Sequence, residues 1–403
     1  MLKFSTQNMP VMTRSRAGET ATSKTYASSL SETDKTESTS RSETDKSSWS
    51  TSSSRSNGKV QKRHVASSAT KAVTVAPDGY QVPSKVLAYA PPPYHTVAIL
   101  VCFSSVFLHF LPSLESIDEI ATVETFTKRI FPDYMSIQTL GWVRLVIAAI
   151  IFGTSFQTAV LSNGWMQITV YKAGSQLVRA QDHMVGIKTM FPFTSVSWNL
   201  LGSAFALSSY IALKVSMNTS SPEEMGDVDF HPWTLRCALI CWELAAPFSF
   251  LVASVIRYAI WPGVLRSKNP TENLKNWRNK LMHNINVVFA MTETSMLGGM
   301  PVMWQHVSFA PLVGSAYIIF SWLIQNKWTK DHAKNGPQFI YYFFDTTLPK
   351  MASIALLALL FVLMVFYAAF VVMEEILVLV DGSMLMHAVL ALGISSTVMR
   401  FRD

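Results

Sequence analysis

Residues 282–293 read MHNINVVFAMTE, and the fold turns on how that stretch is understood. Its Val287-Val288-Phe289-Ala290-Met291 core suits a membrane span, yet it opens on His283, Asn284 and Asn286 and closes on Glu293. Polar groups at membrane depth are costly, so these must face protein, water or a ligand rather than lipid. On a helix advancing 100° per residue, Asn286 and Glu293 fall about 20° apart, and His283 lies within roughly 80° of both. One face therefore carries imidazole, amide and carboxylate, while Val288, Phe289 and Met296 form the other.

The surrounding sequence makes the span reading general. Residues 1–90 hold almost no long apolar run, whereas 96–397 hold many. The fold class that follows is all-α: a polytopic transmembrane helix bundle over 91–397, with an N-terminal tail over 1–90 and a short C-terminal tail over 398–403. The N-terminal tail is rich in Ser, Thr and charge, with SETDK at both 31–35 and 42–46. Such a composition buries too little apolar surface to offset chain entropy, so disorder is expected. It serves either as a solvated tether or as an arm that gains charge by phosphorylation. Its first residues, MLKFSTQNMPVMTRSRAG, are basic and acid-poor like an organelle transit peptide, without the apolar core of a secretory signal.

The net charge of +7 belongs to this tail and to basic loops. Nothing pairs that charge with a compact nucleic-acid module, so no nucleic acid is expected as a partner. Cys102, Cys237 and Cys241 all lie in apolar runs, which gives neither a disulfide framework nor zinc spacing.

Apolar runs fall at 96–114, 141–161, 194–214, 235–261, 281–299, 308–325 and 350–374, and seven spans are expected. A weaker eighth segment, 376–397, is interrupted by Asp381-Gly382 and reads as a continuation along the membrane surface. Connections 162–193, 262–280 and 326–349 are basic; those holding Glu115, Asp118, Glu119 and Glu124, or Glu223, Glu224, Asp227 and Asp229, are not. The basic connections and the tail are therefore assigned to the cytosolic side. The sequon Asn218-Thr219-Ser220 falls on the other side, as glycosylation requires.

Within this topology the polar residues sort by depth. His283 lies at the cytosolic end of its span, level with Thr194, Ser195 and Ser197 at the head of FTSVSWNL; Asn199 is a turn deeper. Glu243 and Glu293 come to nearly the same depth in different spans, which points to a shared site, a shared proton or a cation. Each has a plainer reading. A hydroxyl in a membrane helix usually bonds its own backbone, and a histidine at a helix end is commonly interfacial. His306 and His332 read as solvated loop residues, and Trp277, Trp304, Trp322 and Trp328 as interfacial anchors. No HExxH, CxxC, phosphate loop or GxSxG occurs, so neither metal nor cofactor is expected.

Four blocks carry a resemblance: APFSFLVASVIRYAIWP at 246–262, MHNINVVFAMTE at 282–293, SAYIIFSWLI at 315–324 and FIYYFFD at 339–345. Together they resemble the androgen-induced and rolling-stone family of multi-pass membrane proteins, over roughly residues 141–379. His283, Glu293, Tyr317, Trp322, Tyr342 and Asp345 stand in the family's order. The resemblance implies one of two functions. The androgen-induced branch includes hydrolases of fatty acid esters of hydroxy fatty acids, with an intramembrane threonine nucleophile and a histidine. Carried over, these are Thr194 and His283, with Ser195 or Ser197 as alternatives to the threonine. The rolling-stone branch is linked to cell fusion and implies a scaffold or adhesion protein.

The hydrolase expectation is chemically coherent. A hydroxyl needs a base to take its proton, and His283 is at the right depth. Asn199, Asn284 or Asn286 could donate to an oxyanion. Glu293, about 15 Å along the helix from His283, is too far to complete a triad and is assigned support or proton sharing. Membrane lipids are the expected partners and a lipid ester the candidate substrate, in the endoplasmic reticulum or the plasma membrane. A third reading is a carrier using Glu243 and Glu293.

Overall fold

The computed structural model describes Ala76 and residues 78–219, 228–266, 276–328, 331–380 and 383–400. The expected disorder of residues 1–75, the SETDK repeats, Ser220, residues 221–227 and Asp381-Gly382 lie outside the described residues.

The described chain is a bundle of helices with one small hairpin. In chain order the helices are α1 (Tyr94–His109), α2 (Leu114–Ile120), α3 (Val123–Thr127), α4 (Ile137–Phe156), α5 (Phe193–Asn218), α6 (Pro232–Ser254), α7 (Trp261–Arg266), α8 (Trp277–Lys280), α9 (Asn286–Met296), α10 (Phe309–Leu323), α11 (His332–Asn335), α12 (Pro349–Leu379) and α13 (Met384–Val398). Between α4 and α5, strands β1 (Trp165–Ile168) and β2 (Gln181–Met184) pair antiparallel, with Trp165 opposite Met184. Starts are set by ordinary capping. Ser136 Oγ accepts from the Thr139 N–H at the head of α4, and Ser383 caps α13 through the Met386 N–H. Proline opens α6 and α12, where its missing N–H is harmless.

Among the described residues, five stretches are long and apolar enough to cross a membrane: Ile137–Leu161, Phe193–Asn218, Pro232–Leu265, Trp304–Leu323 and Pro349–Leu379. A sixth forms if Tyr94–His109 and Leu114–Thr127, bent by 63°, count as one. The expected seventh, 281–299, is not among them. Its His, Asn, Thr and Glu residues dilute its hydropathy, and the fold handles it differently. This segment runs inside the bundle: Asn286 bonds α6 at Ser249 near one end, and Glu293 bonds α4 at Arg144 near the other.

The weaker segment after α12 is also corrected. Helix α13 does not continue outward but folds back along α9, His387 meeting Ser295 and Arg400 meeting Asn284. A polar helix in lipid must have its polar groups covered, and α13 supplies part of that cover. Met399 and Arg400 are accordingly docked rather than a free tail. Arg257 donates to the Ser396 and Met399 carbonyls.

Basic connections 162–192 and 324–348 meet at one end of the bundle. Thr169 bonds the Phe339 carbonyl, Tyr171 bonds Gln338, and Arg278 of the third basic connection lies over the Trp165 ring. The acidic connection sits at the opposite end, where Asp118 pairs with Arg236 at the start of α6. The alternation read from charge is thus an alternation of ends.

Two further expectations change here. Residues 78–90 are not free tail but a strap across the hairpin end: Tyr80 donates to the Leu177 carbonyl, and Ala90 is bonded by Gln325 and Thr346. Trp277 and Trp304 are exposed as anchors should be, but Trp322 and Trp328 are buried.

Candidate functional site

A buried ion pair and a buried carboxyl–imidazole hydrogen bond hold the membrane-depth carboxylates. Arg144 on α4 grips Glu293 on α9 with two parallel bonds, Nε to Oε2 at 3.0 Å and Nη2 to Oε1, both residues fully buried. Its third donor, Nη1, goes to the Phe126 carbonyl at the end of α3. The Gly298 N–H adds a bond to Glu293 Oε1 at 3.2 Å. Such a fork is the strong form of a charge-assisted bond.

Glu243 on α6 binds His306 instead. Nδ1 stands 2.8 Å from each carboxylate oxygen, and the Met303 N–H donates to Oε1 at 3.0 Å. His306 is therefore a buried partner and not a solvated loop residue, because the 297–306 connection folds inward onto α6. Trp242 Nε1 donating to the Met300 carbonyl and Tyr367 donating to the Met303 carbonyl pin the same connection. The two carboxylates do stand against one short connection, as their depth implied. They do not share a site, since each has its own basic partner.

The three candidate oxyanion amides are also engaged. Asn199 donates to the Ser195 carbonyl at 2.7 Å and to Met190 Sδ, and accepts from Ser155 on α4. Asn284 forms a reciprocal pair with the Arg400 backbone, donating at 3.0 Å and accepting at 2.8 Å. Asn286 donates to the Ser249 carbonyl and accepts from the Val287 N–H. All three join helices to one another.

Thr194 and His283 differ. Thr194 occupies the first turn of α5, half-buried, and its hydroxyl makes no hydrogen bond among the described residues. At that position there is no preceding helical turn to bond back to. Its neighbour Ser195 does find a carbonyl, that of Thr189 at 2.7 Å, while Ser197 Oγ is buried without a partner.

His283 lies in a π-helical turn, Leu281–Ile285, between α8 and α9, and its Nδ1 is buried and unpartnered. Turns of this kind recur at functional sites because the extra residue re-aims its neighbours. The π turn abuts α5, and higher up Trp198 of α5 stacks on Phe289 of α9 with ring centroids 6.2 Å apart. Thr194 thus stands at the head of the helix that the His283 turn abuts, and no hydrogen bond joins the two residues.

The head of α5 is braced from two sides. The Phe193 N–H donates to the Tyr341 hydroxyl at 3.1 Å, and Tyr317 donates to the Phe191 carbonyl at 2.8 Å. The Phe193 ring meets Phe248 and Tyr317 at 5.2 and 5.3 Å. Burial pushes the Tyr341 phenol up to about 12, so it stays neutral. Of the residues in the SAYIIFSWLI and FIYYFFD blocks, Tyr317 and Tyr341 therefore brace this helix head. The motif's Tyr342 is exposed under Lys172, and the neighbouring Tyr341 takes the inward place. Arg144, His306 and Tyr341 were not legible as functional partners in the sequence. A lone arginine in the 141–161 run was the signal for the first of them.

These features define the class: a helical, multi-pass membrane protein whose interior carries hydrogen-bonded carboxylates at one end and, toward the other, a hydroxyl and an imidazole nitrogen with no hydrogen-bond partner among the described residues. No family model, curated protein or solved structure matches the chain.

Proposed function

We propose that this protein is an intramembrane hydrolase of lipid esters, with Thr194 as nucleophile and His283 as its base. One observation carries the reading. Of the nine polar residues singled out at membrane depth, Asn199, Asn284, Asn286, Glu243 and Glu293 join elements through hydrogen bonds and Ser195 bonds the Thr189 carbonyl, while the Thr194 and Ser197 hydroxyls and His283 Nδ1 find no partner among the described residues. Buried polar groups are normally satisfied, and those that are not call for a role. A hydroxyl at the head of α5 and an imidazole in the turn that abuts α5 are the two groups that acyl transfer needs.

In the reaction, His283 takes the Thr194 proton as Oγ1 attacks the ester carbonyl. The imidazolium returns that proton to the departing alcohol, and water then releases the acid by the same route. The amides Asn199, Asn284 and Asn286 are already committed to other bonds. Of the first-turn N–H groups of α5, those of Phe193, Ser195 and Val196 are bonded to Tyr341 and Pro192, so the Thr194 N–H is the one proposed to meet the developing oxyanion. The resemblance to the androgen-induced and rolling-stone family supports fatty acid esters of hydroxy fatty acids as the substrate class, in the endoplasmic reticulum or plasma membrane.

Labelling of the purified protein with a fluorophosphonate probe tests this. Wild type should label, and Thr194→Ala and His283→Ala should lose most of it. Equal labelling of all three, or none in wild type, overturns the assignment. The five residues that join elements favour a second reading, a scaffold whose polar stripe joins helices; there, His283→Ala costs folding and no turnover exists. A carrier working through Glu243 and Glu293 has less support, because each carboxylate is fully buried and held by its own partner.

A further inference from the structure

Arg278 stands beside the Thr194–His283 interface without a task in the reaction as written. It is half-buried on α8. Its guanidinium carbon lies 4.3 Å from the Trp165 ring centroid, so an indole of the hairpin covers one face of the plane. Its Nε is buried and donates to nothing among the described residues.

Neighbouring cations are held differently. Arg179 and Lys188, on the connection that carries the hairpin, pair with Asp78 and Asp182. Arg278 pairs with no carboxylate among the described residues. Burial alone lowers its pKa, with no counter-charge working the other way.

A guanidinium keeps its charge and presents its donors in a rigid planar fork. Stacking on an indole occupies the face of that plane and leaves the edge open. The edge is the part that meets a carboxylate through two parallel bonds.

The position of the fork gives it a task. Arg278 precedes His283 by five residues, on α8 and the π turn that follows it directly. Bonding in a π turn runs from i to i+5, which draws residues five apart toward one side. The Arg278 charge is felt at His283. At 1.5 Å per residue the two stand about 7.5 Å apart along the axis, with Arg278 on the side of the basic connection.

The geometry points to Arg278 as a carboxylate-binding residue that selects acidic lipid esters, its fork holding the free carboxylate while the ester lies deeper, at Thr194 and His283. The ester half of this statement rests on the hydrolase reading; the carboxylate half does not. A fatty acid ester of a hydroxy fatty acid has both groups, one internal ester and one free carboxylate. Its methyl ester has no carboxylate and gives the fork nothing to grip.

The test uses the full chain in one neutral detergent. Binding is measured on Thr194→Ala, so that no turnover intervenes. Octadecanoate should bind at least about tenfold more tightly than octadecanol, the scale of one charge-assisted hydrogen bond. Adding Arg278→Gln should abolish that difference. Arg278→Lys should restore part of it, since lysine keeps the charge without the fork. Equal affinity for the two probes, or a preference that survives Arg278→Gln, overturns the inference. Displacement of octadecanoate by an equal concentration of dioleoyl phosphatidate also overturns it, because the fork then serves a headgroup phosphate.

Turnover gives a second readout, with Thr194 in place. The kcat/KM for a palmitoyl ester of hydroxystearic acid, divided by that for its methyl ester, should fall about tenfold in Arg278→Gln, through KM. A ring contact that merely braced α8 would leave this ratio unmoved. Preference for octadecanoate without any turnover sinks the hydrolase reading and supports the carboxylate site. Turnover with an unchanged ratio does the reverse.

Discussion

Arg144 and Glu293 meet as a bidentate pair across 149 positions of sequence, joining α4 to α9 with neither side chain reaching solvent. Breaking such a pair is expensive, because it strands a charge where nothing replaces water. Arg144→Ala should cost about 3–5 kcal/mol and yield little folded protein. Replacing both partners, as in Arg144→Met with Glu293→Leu, should recover much of that loss. Unfolding midpoints in detergent distinguish the outcomes; a double variant no better than the single one would show that the pair is not the unit of stability.

Gly298 makes the same pair possible in a second way. A Cβ added there would lie 2.0 Å from Arg144 Nη2 and 2.7 Å from Glu293 Oε1. Gly298→Ala should therefore displace the guanidinium and lower the unfolding midpoint nearly as far as removing Arg144. Gly153 in α4 is the control, with nothing within 4 Å of its added Cβ. Gly153→Ala should be neutral or stabilising by about 0.5–1 kcal/mol, since it only removes backbone freedom from a helix.

The bundle was legible because the apolar runs are long, and the ends were legible because charge alternates between connections. The handling of 281–299 was legible only in part. His283, Asn286 and Glu293 announced a face that could not meet lipid, yet what covers it, Arg144 and α13, is distant in sequence and set by packing. His306 shows the same limit. A histidine in a short connection looks solvated until the connection turns inward, and only the depth of Glu243 hinted that a partner was needed. Tyr341 and Tyr342 could not be ranked from FIYYFFD, because one residue of register decides which ring faces α5.

Tyr341 offers a test of the Thr194 reading that leaves the fold intact. Its hydroxyl accepts from the Phe193 N–H one residue before Thr194, and the neutral phenol does so at any ordinary pH. Tyr341→Phe removes that acceptor while keeping the ring that packs on Phe344. The expected result is probe labelling of Thr194 slowed by about tenfold, as a misplacement of the nucleophile warrants, with an unfolding midpoint within about 2 °C of wild type. Unchanged labelling would separate the brace from the chemistry.

The strap over the hairpin end gives a prediction with a pH sign. Tyr80 is buried there, donating to the Leu177 carbonyl and accepting from the Arg179 N–H, and the Arg179 guanidinium lies 4.0 Å from its ring centroid. Arg179 also pairs with Asp78, and that hydrogen bond holds the Asp78 carboxyl below its usual range. A lowered carboxylate contributes above the unfolded value of about 3.9, and the contribution is lost as pH falls through the folded value. The pair is exposed, so at pH 7 Asp78→Asn should hardly change protease cutting within 78–90. Tyr80→Ala removes the buried ring and should speed cutting several-fold. In acid the order of effects differs: wild type should become more susceptible between pH 4.5 and 2.5, while Asp78→Asn, already without the carboxylate, should change less over the same interval. Identical acid profiles for the two would mean that the strap is held by Tyr80 alone.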